Sequence, residues 1–125
     1  MELYKSDKDS EIVYDYLKKV LNKKKIKIFS EIDHSHEAKK SNLELSFAKL
    51  IIFGDPKVGT LLMQEDIKIA IDLPLKILIW EEKGVCNIGF YKISEIVKQK
   101  NHQINNRDIM NKINCLIESI IKEII

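Results

Sequence analysis

Apolar residues recur at Ile12, Val13, Tyr16, Leu17, Val20 and Leu21. That spacing predicts one face of a helix. Ser6, Asp7 and Ser10 offer N-caps ahead of it, Asp9 and Glu11 suit its positive end, and Lys23, Lys24 and Lys25 suit its negative end. From Lys25 the period drops to two. Ile26, Ile28, Ser30 and Ile32 point one way and Lys25, Lys27, Phe29 and Glu31 the other, as in a half-buried strand. The strand ends at Asp33–His34, where Asp33 can cap a short helix running to about Ser41. Asn42 to Ser46 reads as a connection. Ala48 to Phe53 is nearly all apolar, which predicts a central strand covered on at least one face. Met1 to Tyr4 fits either a short edge strand or a frayed end.

The stretch from Lys49 to Trp80, KLIIFGDPKVGTLLMQEDIKIAIDLPLKILIW, organises the rest. Two apolar runs, Leu50–Phe53 and Leu75–Trp80, enclose a tight turn at Gly54–Asp55–Pro56 and a second at Asp72–Leu73–Pro74. Pro56 suits the first turn of a helix, with Asp55 at its cap, running to about Glu65. Gly59 inside that helix costs about 1 kcal/mol relative to Ala, which predicts a close approach to its backbone. Ile67, Ile69 and Ile71 alternate, a hint of extended structure. Leu75–Glu81 and Val85–Tyr91 predict a hairpin around Glu82–Lys83–Gly84. A short helix follows at Ile93–Lys98, then a polar linker at Lys100–Asn105. The last helix is opened by Asn106 and Asp108 and striped by Ile109, Ile113, Leu116, Ile117, Ile120, Ile121 and Ile124. Its stripe packs on the sheet, or its end meets a second subunit. The pattern predicts a single domain, 1–125, of α/β (α+β) class. It is a two-layer sandwich with a mixed sheet of about four to five strands and helices packed on it.

Three motifs in this order carry a family resemblance: IDH at Ile32–His34, FGDPKVGTLLMQ at Phe53–Gln64 and IDLPLKILIW at Ile71–Trp80. Together with the flanking helices, they make the chain resemble, over roughly residues 7 to 125, a family of small bacterial and archaeal proteins. It is the one numbered 302 among the domains of unknown function. The resemblance implies a compact α/β fold, often as a homodimer, and no established activity. The chain departs from the family's usual residues at Asp55 (Asn), Leu61 (often Pro) and Ala70 (often Gly). Asp55 places a negative charge at the turn and argues against anion binding through that side chain.

Composition narrows the classes. With 45% hydrophobic and 32% charged residues, the chain is a globular protein. A net charge of +2 gives no concentrated basic face for nucleic acid. Cys86 and Cys115, far apart and without a CxxC, read as reduced thiols in a reducing compartment. The charged start MELYKSDKDS lacks the apolar segment of a signal peptide, and no apolar run approaches the ~20 residues of a membrane span. The expectation is a cytoplasmic protein with no membrane and no nucleic-acid partner.

Candidate chemistry sits at strand ends. In the loop Gly54 to Thr60, a helix N-terminus after a strand offers free N–H groups, Lys57 a charge and Thr60 a hydroxyl, although no GxxxxGK[ST] is present. The other reading is that Gly54, Pro56 and Gly59 merely shape a turn. Asp33–His34 is the second candidate. If Ile32 and Phe53 end adjacent parallel strands, His34 lies near Asp55 and Lys57 as the switchable group, and it is the candidate acid or base of an enzyme. The alternative is a His that caps or packs at a strand end. Asp72 reads as a turn-former or a third polar group. The expected ligand-binding set is therefore Asp33, His34, Gly54, Asp55, Lys57, Gly59, Thr60 and Asp72. A metal site from Asp33, His34, His36 and Glu37 is disfavoured by spacing, so none is expected. A haem has only His34 or Met63 to bind it, and no cofactor is implied. Trp80 and Phe53 read as core. The functional readings are a small anionic or polar ligand bound at these motifs, an enzyme using His34 on a small metabolite, or a structural homodimer module.

Overall fold

The computed structural model describes residues 1–125. The elements run β1 (Glu2–Ser6), α1 (Ser10–Lys23), β2 (Lys27–Asp33), α2 (His34–Lys40), β3 (Ala48–Gly54), α3 (Pro56–Glu65), a 3-10 turn (Ile67–Ile71), β4 (Leu75–Glu82), β5 (Val85–Phe90), α4 (Ile93–Gln99) and α5 (Arg107–Ile124). The strands form one sheet in the order β1-β5-β4-β3-β2. The α+β class and the two layers agree with the sequence reading. The mixed sheet does not: every neighbouring pair is antiparallel. The segment joining β2 to β3 is long enough for a parallel crossover, but α2 is only seven residues long and contributes no buried residue. The chain therefore turns back along β2 instead of crossing the sheet.

One face of the sheet carries the core. Ile51 and Phe53 of β3, Ile77 and Ile79 of β4 and Ile88 of β5 are fully buried against Val13, Leu17 and Leu21 of α1 and Ile117, Ile120 and Ile121 of α5. The α1 face is rotated from its expected position: Tyr14 is buried, whereas Ile12 and Tyr16 are exposed. Tyr14 Oη donates to Glu31 Oε1 at 2.6 Å. Burial and this bond push the phenol well above its usual range.

The opposite face is uncovered. In register across all five strands lie Ile32, Leu50, Leu78, Gly89 and Leu3. Beside this row stand Ile52 and Trp80. None of these side chains belongs to the core or packs against it. The core role expected for Phe53 holds. Trp80 instead lies half-buried on the open face, with its ring edge over Gly89. The alternation Ile67–Ile69–Ile71 is a 3-10 turn rather than a strand. Only Ile69 is buried, and Ile71 is 81% exposed.

Candidate functional site

A cleft of about 940 Å³ opens at one end of the helical layer. Its floor is Phe53, Leu62 and Leu75. Val58 and Met63 of α3 form one wall, Ile109, Ile113 and Leu116 of α5 another, and Phe29, Leu73 and Pro74 close the third. Lys24, Lys25 and Lys112 reach it from the turn after α1 and from α5. Such a mostly apolar concavity with a few convergent polar groups is the usual form of a small-molecule site.

Local sequence explains how the cleft is held. Asp55 caps α3, its Oδ1 accepting from Lys57 N at 2.9 Å, and Pro56 occupies the first turn. The Thr60 hydroxyl donates to Pro56 O at 2.6 Å, so it is engaged within its own helix. A Cβ added to Gly59 would meet Leu73 Cδ1 at 3.9 Å and Met63 Cε at 4.0 Å, which is ordinary contact. The close approach expected at Gly59 is absent. Gly54 is likewise open enough, with Pro74 Cβ at 3.7 Å.

The Leu73–Pro74 wall, joined by a cis peptide, is fixed from behind by a polar clamp. Lys100 Nζ donates to Asp72 Oδ1 and His102 Nε2 to Asp72 Oδ2, both at 2.7 Å. Burial raises the Asp72 pKa, but the bonds and charges of Lys100 and His102 outweigh it and hold the carboxyl below its usual range. Asp66, itself buried, caps the 3-10 turn through Lys68 N at 3.0 Å and accepts from Gln103 N at 2.9 Å. The Gln103 and Lys68 N–H groups lower its pKa to about 2, against the opposing effect of burial. His102 Nδ1 stands 3.9 Å from Asp66 Oδ2 and has no hydrogen-bond partner. This clamp was not legible beforehand, because the segment from Lys100 to Asn105 reads as a polar linker. Its sequence signals are Lys100 and His102, the two titratable side chains of that stretch.

The expected site residues therefore separate. Gly54, Asp55, Gly59 and Thr60 line the cleft, and Lys57 lines a shallow depression beside it with Pro56, Thr60 and Leu61. Asp72 sits behind the cleft wall. Asp33 and His34 lie elsewhere. Asp33 pairs with Lys49, whereas Gly54 pairs with Lys27 at the far end of the same ladder, five residues or roughly 17 Å away at about 3.4 Å per residue. The antiparallel pairing thus removes His34 from the Asp55–Lys57 loop. Asp33 is the N-cap of α2, accepting from His36 N at 2.9 Å and from the Ser35 hydroxyl at 2.6 Å. Those two bonds, the Ser35 one first, lower its pKa. His34 is exposed. No group of three or more His, Cys, Asp or Glu side chains is arranged to hold a metal.

The family model described as "Domain of unknown function DUF302" matches residues 3–123. The chain belongs to the DUF302 family. The DUF302 fold is also seen in the crystal structure of an uncharacterised conserved DUF302 protein from Bacillus stearothermophilus. That structure superposes with a TM-score of 0.78 over 98% of this chain and 94% of the other, at 12% identity. A likeness at that identity shows the fold alone. A 55-residue portion, 44% of this DUF302 chain, is 46% identical to part of the fluoride-specific ion channel FluC 1 of Brucella suis biovar 1 (strain 1330) and of Brucella abortus biovar 1 (strain 9-941). The matched portion amounts to 22% and 20% of those proteins, so the chain spans about a fifth of the length of the curated relatives it matches. No helix of this chain is long and apolar enough to cross a membrane.

Proposed function

We propose that this DUF302 domain binds a small, largely apolar organic molecule in the cleft between α3 and α5. The observation that carries the reading is the cleft itself: an apolar floor and walls enclosing about 940 Å³, built around the Gly54–Thr60 motif. The reading keeps the domain in a reducing cytoplasm, in keeping with two free cysteines, Cys86 buried and Cys115 exposed. The enzyme reading through His34 finds no support in the geometry, because His34 is exposed at the opposite end of the sheet. The channel activity named for the Brucella proteins is not extended to this chain, whose match covers a minor part of them.

The test uses N-phenyl-1-naphthylamine, an uncharged dye that fluoresces in apolar sites. Wild type is expected to raise its emission saturably. Leu116→Trp, which fills the cleft from α5, is expected to abolish the rise with an unchanged circular dichroism spectrum. Equal emission with both proteins would place the dye elsewhere and refute the reading.

A second proposal concerns the other face. The row Ile32–Leu50–Leu78–Leu3 with Ile52 and Trp80 is apolar and uncovered, which favours a homodimer packed sheet on sheet. A two-fold axis across the strands between Leu78 and Trp80 would set Leu78 against Trp80 of the second copy. It would also set Lys76 near the second copy's Glu82, since these residues alternate along one face of β4. The ligand cleft, on the helical side, stays open in such a dimer.

A further inference from the structure

We infer that the molecule held in the cleft is an amphiphilic anion: an apolar body ending in a carboxylate or phosphate. The inference rests on the cleft-binding reading and adds the charge of its ligand. Three lysines line the largely apolar cleft, and they come from two separate parts of the chain: Lys24 and Lys25 in the turn after α1, and Lys112 on α5. Lys24 has an acidic neighbour, Glu123, at 4.0 Å. Lys25 and Lys112 make no ion pair with any acidic group of the chain. The one carboxylate lining the cleft, Asp55, is engaged with the Lys57 N–H of its own helix. The cavity thus combines an excess of positive charge with walls of low polarity. Lys25 and Lys112 are exposed, so their attraction for an anion is felt at the cleft but weakened by salt.

Alternatives fit less well. A neutral apolar molecule would leave the lysines without a role. A small inorganic anion would leave the floor of Phe53, Leu62 and Leu75 and the wall of Leu116 uncovered. A nucleotide would need polar groups to match its base and sugar, and the lining supplies chiefly aliphatic and aromatic carbon. An amphiphilic anion satisfies both halves of the site, its tail on the floor and its head among Lys25, Lys112 and Lys24.

The experiment is displacement of bound N-phenyl-1-naphthylamine by octanoate and by octanol, on wild type and on the double variant Lys25→Gln/Lys112→Gln. A carboxylate resists transfer to an apolar site more than a hydroxyl does, so octanol is the better displacer wherever no cation compensates. The expected result on wild type is octanoate displacing at a concentration at least about ten-fold below octanol, with the preference reduced at high salt. In the double variant the preference is expected to fall to two-fold or less. Octanol matching or exceeding octanoate on wild type overturns the inference while leaving cleft binding intact. An octanoate preference that survives in the double variant overturns the assignment to these lysines. Absence of any dye binding to wild type overturns the cleft reading and this inference together.

Discussion

A methyl group at Gly89 is expected to disturb the open face of the sheet measurably. A Cβ built there falls 2.7 Å from Met1 Sδ, 2.9 Å from Trp80 Cζ3 and 3.2 Å from Trp80 Cη2. Distances below 3.0 Å are not tolerated, so a neighbour must move. Met1 is the end of a flexible side chain and yields cheaply. The indole is a rigid plate standing on β4, and its displacement is the main cost. Overpacking of this kind costs about 1–3 kcal/mol. Replacing Gly by Ala in a strand returns about 0.5–1 kcal/mol through the unfolded chain. The net loss is therefore about 0–2.5 kcal/mol, centred near 1. At about 2.1 cal/mol/K per residue, a chain of 125 residues unfolds with roughly 260 cal/mol/K, so 1 kcal/mol moves Tm by about 4 °C. Gly89→Ala is thus expected to lower Tm by roughly 4 °C, and by no more than about 10 °C. Trp80 is the single tryptophan, so its emission maximum reports on this contact alone. Thermal unfolding followed by circular dichroism, together with the emission spectrum, measures both. Trp80→Phe in the Gly89→Ala background removes the six-membered ring in the way and should restore most of the loss, a coupling that a double-mutant cycle isolates. A Gly89→Ala protein as stable as wild type with an unshifted emission maximum refutes the reasoning.

Other outcomes follow from the same structure. Gly59→Ala should stabilise by about 0.5–1 kcal/mol, or 2–4 °C in Tm, because the helix gains a better former and the added Cβ meets only ordinary contacts; a loss of stability would mean that the backbone is more closely approached than described. Asp66 has a folded pKa of about 2, below its value in the unfolded chain, so its contribution is fully present above about pH 4 and disappears as pH falls toward 2; acid titration of stability should be steeper for wild type than for Asp66→Asn in that window, and equal slopes would contradict the clamp. Leu78→Lys, on the open face and outside the core, should halve the mass seen by light scattering with a Tm change under about 4 °C; a monomeric wild type would end the dimer reading.

How much of this was legible in the sequence depends on the range of the interaction. Helices α1, α3, α4 and α5 and the β4–β5 hairpin follow from periodicity and turn residues, which act locally. Asp33 and Asp55 were identifiable as caps because capping joins residues two or three apart. The direction of β3 against β2 was not legible. Nothing in the Ser41–Phe47 connection distinguishes a return along the sheet from a crossing, and that single ambiguity misplaced His34 by the length of a strand. The face of α1 that is buried, Val13, Tyr14, Leu17, Val20 and Leu21, keeps helical spacing but is centred one position from the expected one, and Tyr14 there meets Glu31, seventeen positions along the chain. The clamp joins Asp72 to His102 and Asp66 to the Gln103 N–H across at least thirty positions, again beyond any local pattern. The cleft motif was recognised as a place, but its lysines were not, since Lys25 and Lys112 lie far apart in the chain and converge only in the fold.

The pairing of β1 with β5 has a kinetic consequence. Glu2 lies opposite Phe90, with about eighty residues between the two strands, whereas β4 and β5 are joined by a two-residue turn. Closing the longer loop costs roughly 3 kcal/mol more in chain entropy. The first strand is therefore expected to dock last during folding and to detach first in partial opening events, like a latch laid over a finished sheet. Cys86, opposite Ser6 and 3% exposed, sits beside that latch, its thiol against Ser10 at the start of α1. A thiol reagent should modify exposed Cys115 at once and Cys86 only as often as the latch lifts together with the start of α1, so the slow phase of labelling would time that local opening in an otherwise native protein.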